Sequence, residues 1–370
     1  MSDDTLRMLR DSAADFATLD AVRVRRLRGT DPGFERGVWR SMADMGWLGV
    51  LIPEDQGGLG LGLGAALIIA EQLGRALYPE PYSDSAVAAT QALQHGDNAA
   101  LKQRLLPQLA SGELIAGLAW QGEHGGLALD QCALRLEERG GTPVLQGSCR
   151  FAAIPGADAF IVAARSAQGL ELHWVERARK GLACEPEARA DGSASARLRF
   201  DAVAVSAESR VAAAASARAA LQLALDHALL AASAELLGLM DCVLDMTLEY
   251  LRTRVQFGKA IGSFQALQHR AVDMYIQREL SRAALGAAVA TVEGAHCTAE
   301  QRGAAASGAK ARAAQSALAL CKEALQMHGA IGYTDEYDLG LYFNRALVLA
   351  AWLGNAGAHR ARFSSLAPLP

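Results

Sequence analysis

Residues Tyr250–Arg270 read YLRTRVQFGKAIGSFQALQHR. Four cations, three aromatics, three glutamines and two glycines crowd into this span directly after a helical pattern. It is too polar for core and too apolar for a plain solvated loop. An arginine fork such as that of Arg254 suits a pyrophosphate. The Phe257-Gly258 turn, followed by a helix start near Gln265, lets backbone N–H groups approach an anion. Glutamine amides at 265 and, far downstream, at 326 suit adenine or ribose edges. The plain alternatives remain open from spacing alone: Arg254 as a surface ion pair, Gly258 as a helix C-cap, Gln326 as a solvated side chain.

Outward from this stretch the chain changes texture twice. Residues 1–112 read as an N-terminal helical domain, with apolar residues at helical spacing at Leu6–Phe16, Trp39–Met45 and Ala65–Leu77, and a further helical segment from Ala86 to Leu109. Between the second and third lies GWLGVLIPEDQGGLGLGLG (Gly46–Gly64), where Pro53 and the glycines forbid a continuous helix. This is either a loop of close backbone approach or a loop against a ligand, and it lacks the GxxxxGK[ST] pattern of a phosphate loop. Residues 113–210 carry short apolar runs separated by Gly, Pro, Asp and Ser, as in a small β domain. Residues 211–370 return to long Ala- and Leu-rich segments. The Tyr250 stripe comes first, followed by helices over about 264–293, 299–328 and 337–352. The alanine-rich Val211–Leu221 reads as a linker entering a helix. The fold class is mainly α with a β middle domain.

At 370 residues, two or three packed subdomains are expected. A net charge of −4 argues against nucleic acid or an anionic membrane as main partner. The six cysteines form no CxxC or metal spacing, which reads as buried thiols in a reducing cytoplasm, and no metal is expected. No signal-peptide h-region is evident, and no apolar run approaches the roughly 20 residues of a bilayer span. The histidines show no HExxH pattern; His227 and His328 read as satisfied structural side chains.

Three stretches together resemble the acyl-CoA dehydrogenase family: Gly46–Pro81, Tyr250–Arg270 and QMHGAIGYTDEYDLGLYFNRA (Gln326–Ala346), in the family's order and spacing. The resemblance extends over nearly the whole chain. It implies an N-terminal helical domain, a middle β domain and a C-terminal four-helix bundle. It also implies FAD as cofactor and α,β-dehydrogenation of an acyl-CoA thioester, with electrons passed to an electron-transferring flavoprotein or similar acceptor. By the same resemblance, Arg254 would bind the FAD pyrophosphate across a subunit interface, Phe257 would pack on that cofactor, and Gln265 would lie near its adenosine. Gln326, Gly329 and Ala330 match the family's Q-x-x-G-G segment, with Ala330 in place of the second glycine.

The departures are as informative. The family's Tyr-Glu-Gly-Thr, whose glutamate is the base, appears as Trp352-Leu353-Gly354-Asn355. The alternative base position, counted back from Gly238, falls on Ala228. Asp226 is the nearest carboxylate to it. The Thr-Glu-Pro segment that contacts the flavin ring appears as Gln121-Gly122-Glu123. The Lys-x-Trp-Ile-Thr segment appears as Cys149-Arg150-Phe151-Ala152-Ala153, where Phe151 can still cover a ring but Ala153 lacks the hydroxyl. This asymmetry resembles the heteromeric acyl-CoA dehydrogenases of bacterial steroid and other bulky acyl-CoA catabolism, in which one subunit of each pair lacks the base. A heterotetramer with a homologous, base-carrying subunit is therefore expected. The alternatives are a self-sufficient homo-oligomer using Asp226, or a non-catalytic scaffold.

Overall fold

A computed structural model describes residues 3–129 and 132–367. The chain divides into two compact units. One comprises the chain up to Arg26, Leu67–Tyr78 and everything from Leu229 onward; the other comprises Leu27–Ala66 and Pro79–Ala228.

The second unit holds the sheet. Its strands are β1 (Ala116–Ala119), β2 (Arg135–Arg139), β3 (Thr142–Ala152), β4 (Ala159–Ser166), β5 (Gly169–Glu176), β6 (Leu182–Ala188), β7 (Ala194–Ala204) and β8 (Arg210–Ala213). They run in the order β6-β7-β3-β2-β4-β5-β8, with β1 parallel to β4. β4 and β5 are buried almost throughout, so Phe160, Ile161, Val162, Leu172 and Trp174 form a continuous core. Asp158 fastens a helix to this sheet: it accepts from Arg36 at 2.7 Å, on α3 (Arg36–Asp44), and from the Ile115 amide at 2.9 Å.

The expected linker at 211–221 does not exist. Arg210–Ala213 pairs with β5, and the helix α7 (Ala214–Thr253) begins at the next residue. Alanine has little β preference of its own, so pairing with β5 decides the conformation. The expected helix over Ala86–Leu109 is likewise interrupted. A π-helical turn over Tyr82–Ala89 leads into α5 (Thr90–Gln94), and α6 (Ala99–Ala110) restarts where Asn98 accepts from the Leu101 amide at 3.1 Å as an N-cap. The glycine run serves close backbone approach. A Cβ at Gly58 would collide with the Ile52 backbone, and Leu59, Gly60 and Leu61 donate to the carbonyls of Gly49, Ile52 and Val50.

The first unit is helical. Besides α1 (Asp3–Phe16), α2 (Ala21–Leu27) and α4 (Leu63–Arg75), each wholly or largely within it, it contains the C-terminal half of α7. It also contains α8 (Gln265–Val292), α9 (Ala299–His328), α10 (Leu339–Ala351) and α11 (Ala356–Leu366). α4 and α7 cross closely, because Gly74 faces the Glu235 backbone and Gly238 faces the Glu71 backbone. Arg282 on α8 ties the crossing together, reaching Glu71 at 2.9 Å and Asp241 at 2.7 Å. α8 also carries exposed apolar side chains at Val272, Tyr275, Ile276 and Leu280.

α7 corrects one expectation from the sequence. Its most apolar window reaches a mean hydropathy of 1.5, enough by composition to cross a membrane, yet 83% of that window is buried inside the protein. Packing against neighbouring helices, not lipid, accounts for its apolarity.

Candidate cofactor site

The end of α7 shapes the Tyr250–Arg270 stretch. After Thr253 the chain forms a two-stranded hairpin, β9 (Val255–Gln256) with β10 (Lys259–Ala260). Its two-residue turn is left-handed at both positions, with φ 53° at Phe257 and 78° at Gly258, the primed geometry that matches strand twist. Glycine adopts this freely; phenylalanine does so at a cost. The Phe257 side chain is 92% exposed and meets Phe264 edge-on, 6.1 Å between centroids. Arg254 is exposed, and among the described residues no carboxylate pairs with it. The ion-pair alternative for Arg254 is therefore absent from this structure. Gln265 opens α8 and is exposed.

The end of α9 is held against the end of α7. Tyr250 Oη donates to the His328 carbonyl at 3.2 Å, and the two rings stack at 4.4 Å. The His328 ring is satisfied as expected. Nδ1–H donates to Ala324 O at 2.8 Å and Nε2 accepts from Tyr337 Oη at 3.1 Å; burial pulls its pKa below the ordinary value. Gln326 is exposed on the last turn of α9. Gly329, at φ 65°, opens a short 3₁₀ turn over Gly329–Tyr333 and has no heavy atom near where a Cβ would stand; Ala330 follows it, exposed. Arg254, Phe257, Gln265, Gln326, Gly329 and Ala330 thus all lie on one helical unit.

A groove absent from the sequence reading lies in the same unit. Its volume is about 900 Å³, and it runs between α9, α10 and the start of α11, lined by Leu318, Lys322, Leu347, Asn355, Gly357 and Arg360 among others. Ala314, Leu318 and Lys322 line it at four-residue spacing on α9, and the next residue on that stripe is Gln326. Arg270 on α8 reaches the groove's Glu323 at 3.3 Å. The polar groove residues come from α9 (Gln315, Lys322, Glu323) and from the start of α11 (Asn355, Arg360), far apart in sequence, so no local pattern marks them.

Phe151 lies on the other unit. It occupies a register shift of β3 at φ 62°, half-buried, with the Arg150 guanidinium 5.1 Å above its ring. The polar groups around it are engaged with one another. Gln121 Nε2 donates to Gly126 O at 2.9 Å. Arg150 Nε donates to Glu187 at 2.8 Å. Glu123 accepts from Arg197 at 2.6 Å and Ser148 at 2.9 Å, and these donors hold its carboxyl below the usual range.

At the two expected base positions, Leu353 and Ala228 are both buried and neither can accept a proton. Asp226 is fully buried on α7 and accepts from Gln222 Nε2 at 3.1 Å. Glu235 is bound by Arg345 at 2.8 Å. Among the described residues no cluster of three or more His, Cys, Asp or Glu could hold a metal ion.

Residues 3–113 match the acyl-CoA dehydrogenase N-terminal domain and residues 217–364 the acyl-CoA dehydrogenase C-terminal domain. Acyl-CoA dehydrogenase IpdE2 of Mycobacterium tuberculosis is 30% identical over 345 residues, covering 92% of this chain and 90% of that protein. Among solved structures, the ChsE4–ChsE5 complex from Mycobacterium tuberculosis superposes with a TM-score of 0.89 at 27% identity, covering 100% of this chain and 99% of that one. A single-residue variant of the Tcur3481–Tcur3483 steroid ACAD gives 0.87 at 29% identity, with 98% and 97% covered.

Proposed function

This chain belongs to the acyl-CoA dehydrogenase family, oxidoreductases that act on the CH–CH bond of an acyl-CoA, and from that premise we propose that it works as one subunit of a heteromeric, FAD-dependent enzyme whose homologous partner supplies the base. The observation that carries the reading is an asymmetry between its two units. The helical unit offers unengaged groups: the exposed Arg254 guanidinium, the outward Phe257 ring, the exposed amides of Gln265 and Gln326, and open space at Gly329. These fit the pyrophosphate and adenosine half of FAD. The β unit offers few, since Gln121, Glu123 and Arg150 around Phe151 are already satisfied within it. That neighbourhood does not fit a flavin ring in the same way.

When bound, FAD supplies the acceptor for the hydride leaving Cβ of the acyl chain. In this reading Arg254 would hold the pyrophosphate, and Phe257 would cover the cofactor and exclude water. Gln265 and Gln326 orient the adenosine end. The α proton would go to a carboxylate of the homologous subunit, because the two positions that the resemblance assigns to the base hold a buried leucine and a buried alanine here. A general base contributes typically about 10²–10⁴-fold in rate, so its loss without replacement would leave little turnover. The electrons would then leave for an electron-transferring flavoprotein or similar acceptor. The likeness to a steroid ACAD favours a bulky acyl-CoA.

The test is expression alone and together with a homologue that retains the Tyr-Glu-Gly-Thr glutamate. The pair should co-purify, carry the flavin absorbance and oxidise acyl-CoAs, while the single chain does neither. A single chain that holds stoichiometric FAD and turns over would refute the proposal.

A further inference from the structure

The Trp352–Asn355 turn between α10 and α11 is held from within by two side chains that no step above uses. Lys310, on α9, is fully buried, and its Nζ donates to Ala350 O at 3.2 Å and to Gly354 O at 3.1 Å. His359, on α11 and also fully buried, donates from Nε2 to Leu353 O at 3.0 Å. The end of a helix leaves its last carbonyls without intrahelical donors, and Lys310 provides one for Ala350 O, while the two side chains also serve the turn carbonyls of Leu353 and Gly354. The turn needs such support. Leu353 sits at φ 56° and Gly354 at φ 107°, a conformation that leucine adopts only under strain.

The donor count matches an amine. Two carbonyls satisfy the two N–H groups of a neutral lysine, whereas an ammonium would bring a third donor and a charge. Among the described residues no carboxylate pairs with Lys310. From α10 it meets backbone carbonyls. From α11 the neighbouring titratable groups are His359 and Arg362, both basic, and Arg362 is itself bound to Ser307 Oγ on α9 at 2.9 Å. Burial pushes Lys310 down to about 7; burial and then the proximity of Lys310 push His359 down to about 3.

The geometry points to Lys310 and His359 as positioning residues that lock the Leu353–Gly354 turn in its left-handed form and thereby fix the groove wall built by Ala350, Asn355 and Gly357. Lys310 does not line the groove, so it acts through the turn and not on a bound molecule. Protonating it adds an unpaired charge beneath the turn, so the lock loosens as pH falls through neutrality.

The lock stands whether or not the chain binds flavin, and its test reads the turn directly. In the full chain carrying ¹³C-labelled lysine, the Lys310 signal, identified by its loss in Lys310→Met, should be that of a neutral amine above pH ~8 and titrate near neutrality. Amide exchange at residues 353–358 should speed about tenfold or more in Lys310→Met, for the loss of two hydrogen bonds. In the wild type it should speed as pH falls through neutrality, after correction for intrinsic rates, and Lys310→Met should lack that dependence. A lysine signal that stays an ammonium throughout, or turn exchange unchanged in Lys310→Met, overturns the inference. Should Lys310→Met fail to fold, His359→Phe reads the same turn, and the Lys310 signal is identified instead as the one that remains when Lys102, Lys180, Lys259 and Lys322 are changed to Arg. Flavin content of the assembled pair is scored separately: its absence would sink the proposed function and leave the lock untouched.

Discussion

Tyr250 and His328 stack with their ring centroids 4.4 Å apart and their planes 25° from parallel. Tyr250 lies four residues before Arg254, and His328 lies two after Gln326. One ring pair therefore clamps together two segments separated by more than a whole helix of sequence. The clamp is anchored in turn by Tyr337, which donates to the His328 ring at 3.1 Å.

Arg254 separates binding from stability. It is exposed and no carboxylate among the described residues holds it, so Arg254→Gln should leave unfolding of the chain within about 0.5 kcal/mol of the wild type. The same change should strip flavin from the assembled complex, because a bidentate cationic contact has no substitute in an amide. Urea unfolding and flavin absorbance after gel filtration measure the two effects. Full flavin retention would remove Arg254 from the site.

Gly238 tests the helix crossing. Alanine there gains helix propensity of about 1 kcal/mol, but its Cβ would meet the Glu71 carbonyl, a backbone atom that cannot rotate away. The clash should win, with Gly238→Ala destabilising by about 1–3 kcal/mol. Glu71 would be displaced from Arg282 as well. A melting temperature equal to or above that of the wild type would show that α4 and α7 can separate without cost.

Lys310 fixes the sign of a pH effect. Its folded pKa of about 7 lies below the ordinary 10.5, so across that interval the unfolded chain binds more protons than the folded one. Its contribution to stability therefore rises as pH rises from about 7 towards 10.5, and below about 7 the folded protein carries the burden of the buried charge. Denaturant midpoints across this interval should climb more steeply in the wild type than in Lys310→Met. Parallel slopes would exclude a neutral Lys310.

Leu353→Glu places a carboxylate at the position where the sequence resemblance expects the base. On the heteromer proposal, that change alone should not give the isolated chain dehydrogenase activity, since the groups around Phe151 stay engaged within the β unit. Turnover of any acyl-CoA by the isolated variant, followed with an artificial electron acceptor, would mean that this chain holds a complete flavin site after all.

The helices of the C-terminal part were readable because their apolar spacing is long and regular. The expected helices over 264–293, 299–328 and 337–352 correspond to Gln265–Val292, Ala299–His328 and Leu339–Ala351. β6 and β8 were not readable: Leu182–Ala188 alternates weakly, and Arg210–Ala213 is a strand only because β5 lies beside it. At the candidate site, Arg254 and Gln326 stood out because cations and amides beside glycine turns are locally unusual. Lys310 did not stand out. A single lysine in an alanine-rich helix reads as a solvated side chain, and only the return of α10 and α11 around it reveals that it is buried. Local pattern names the segments that meet; it is silent on the groups that support them from behind.

The outward row of Val272, Tyr275, Ile276 and Leu280, with the bare ring of Phe257 nearby in sequence, has a consequence for supply in the cell. If the heteromer proposal holds and the partner seats on α8, a copy without its mate would display these side chains to chaperones and proteases, and an assembled copy would hide them. Synthesis of the two chains would then have to be matched, and a surplus of this one would be short-lived, a form of stoichiometric control that requires no regulator beyond the exposed surface.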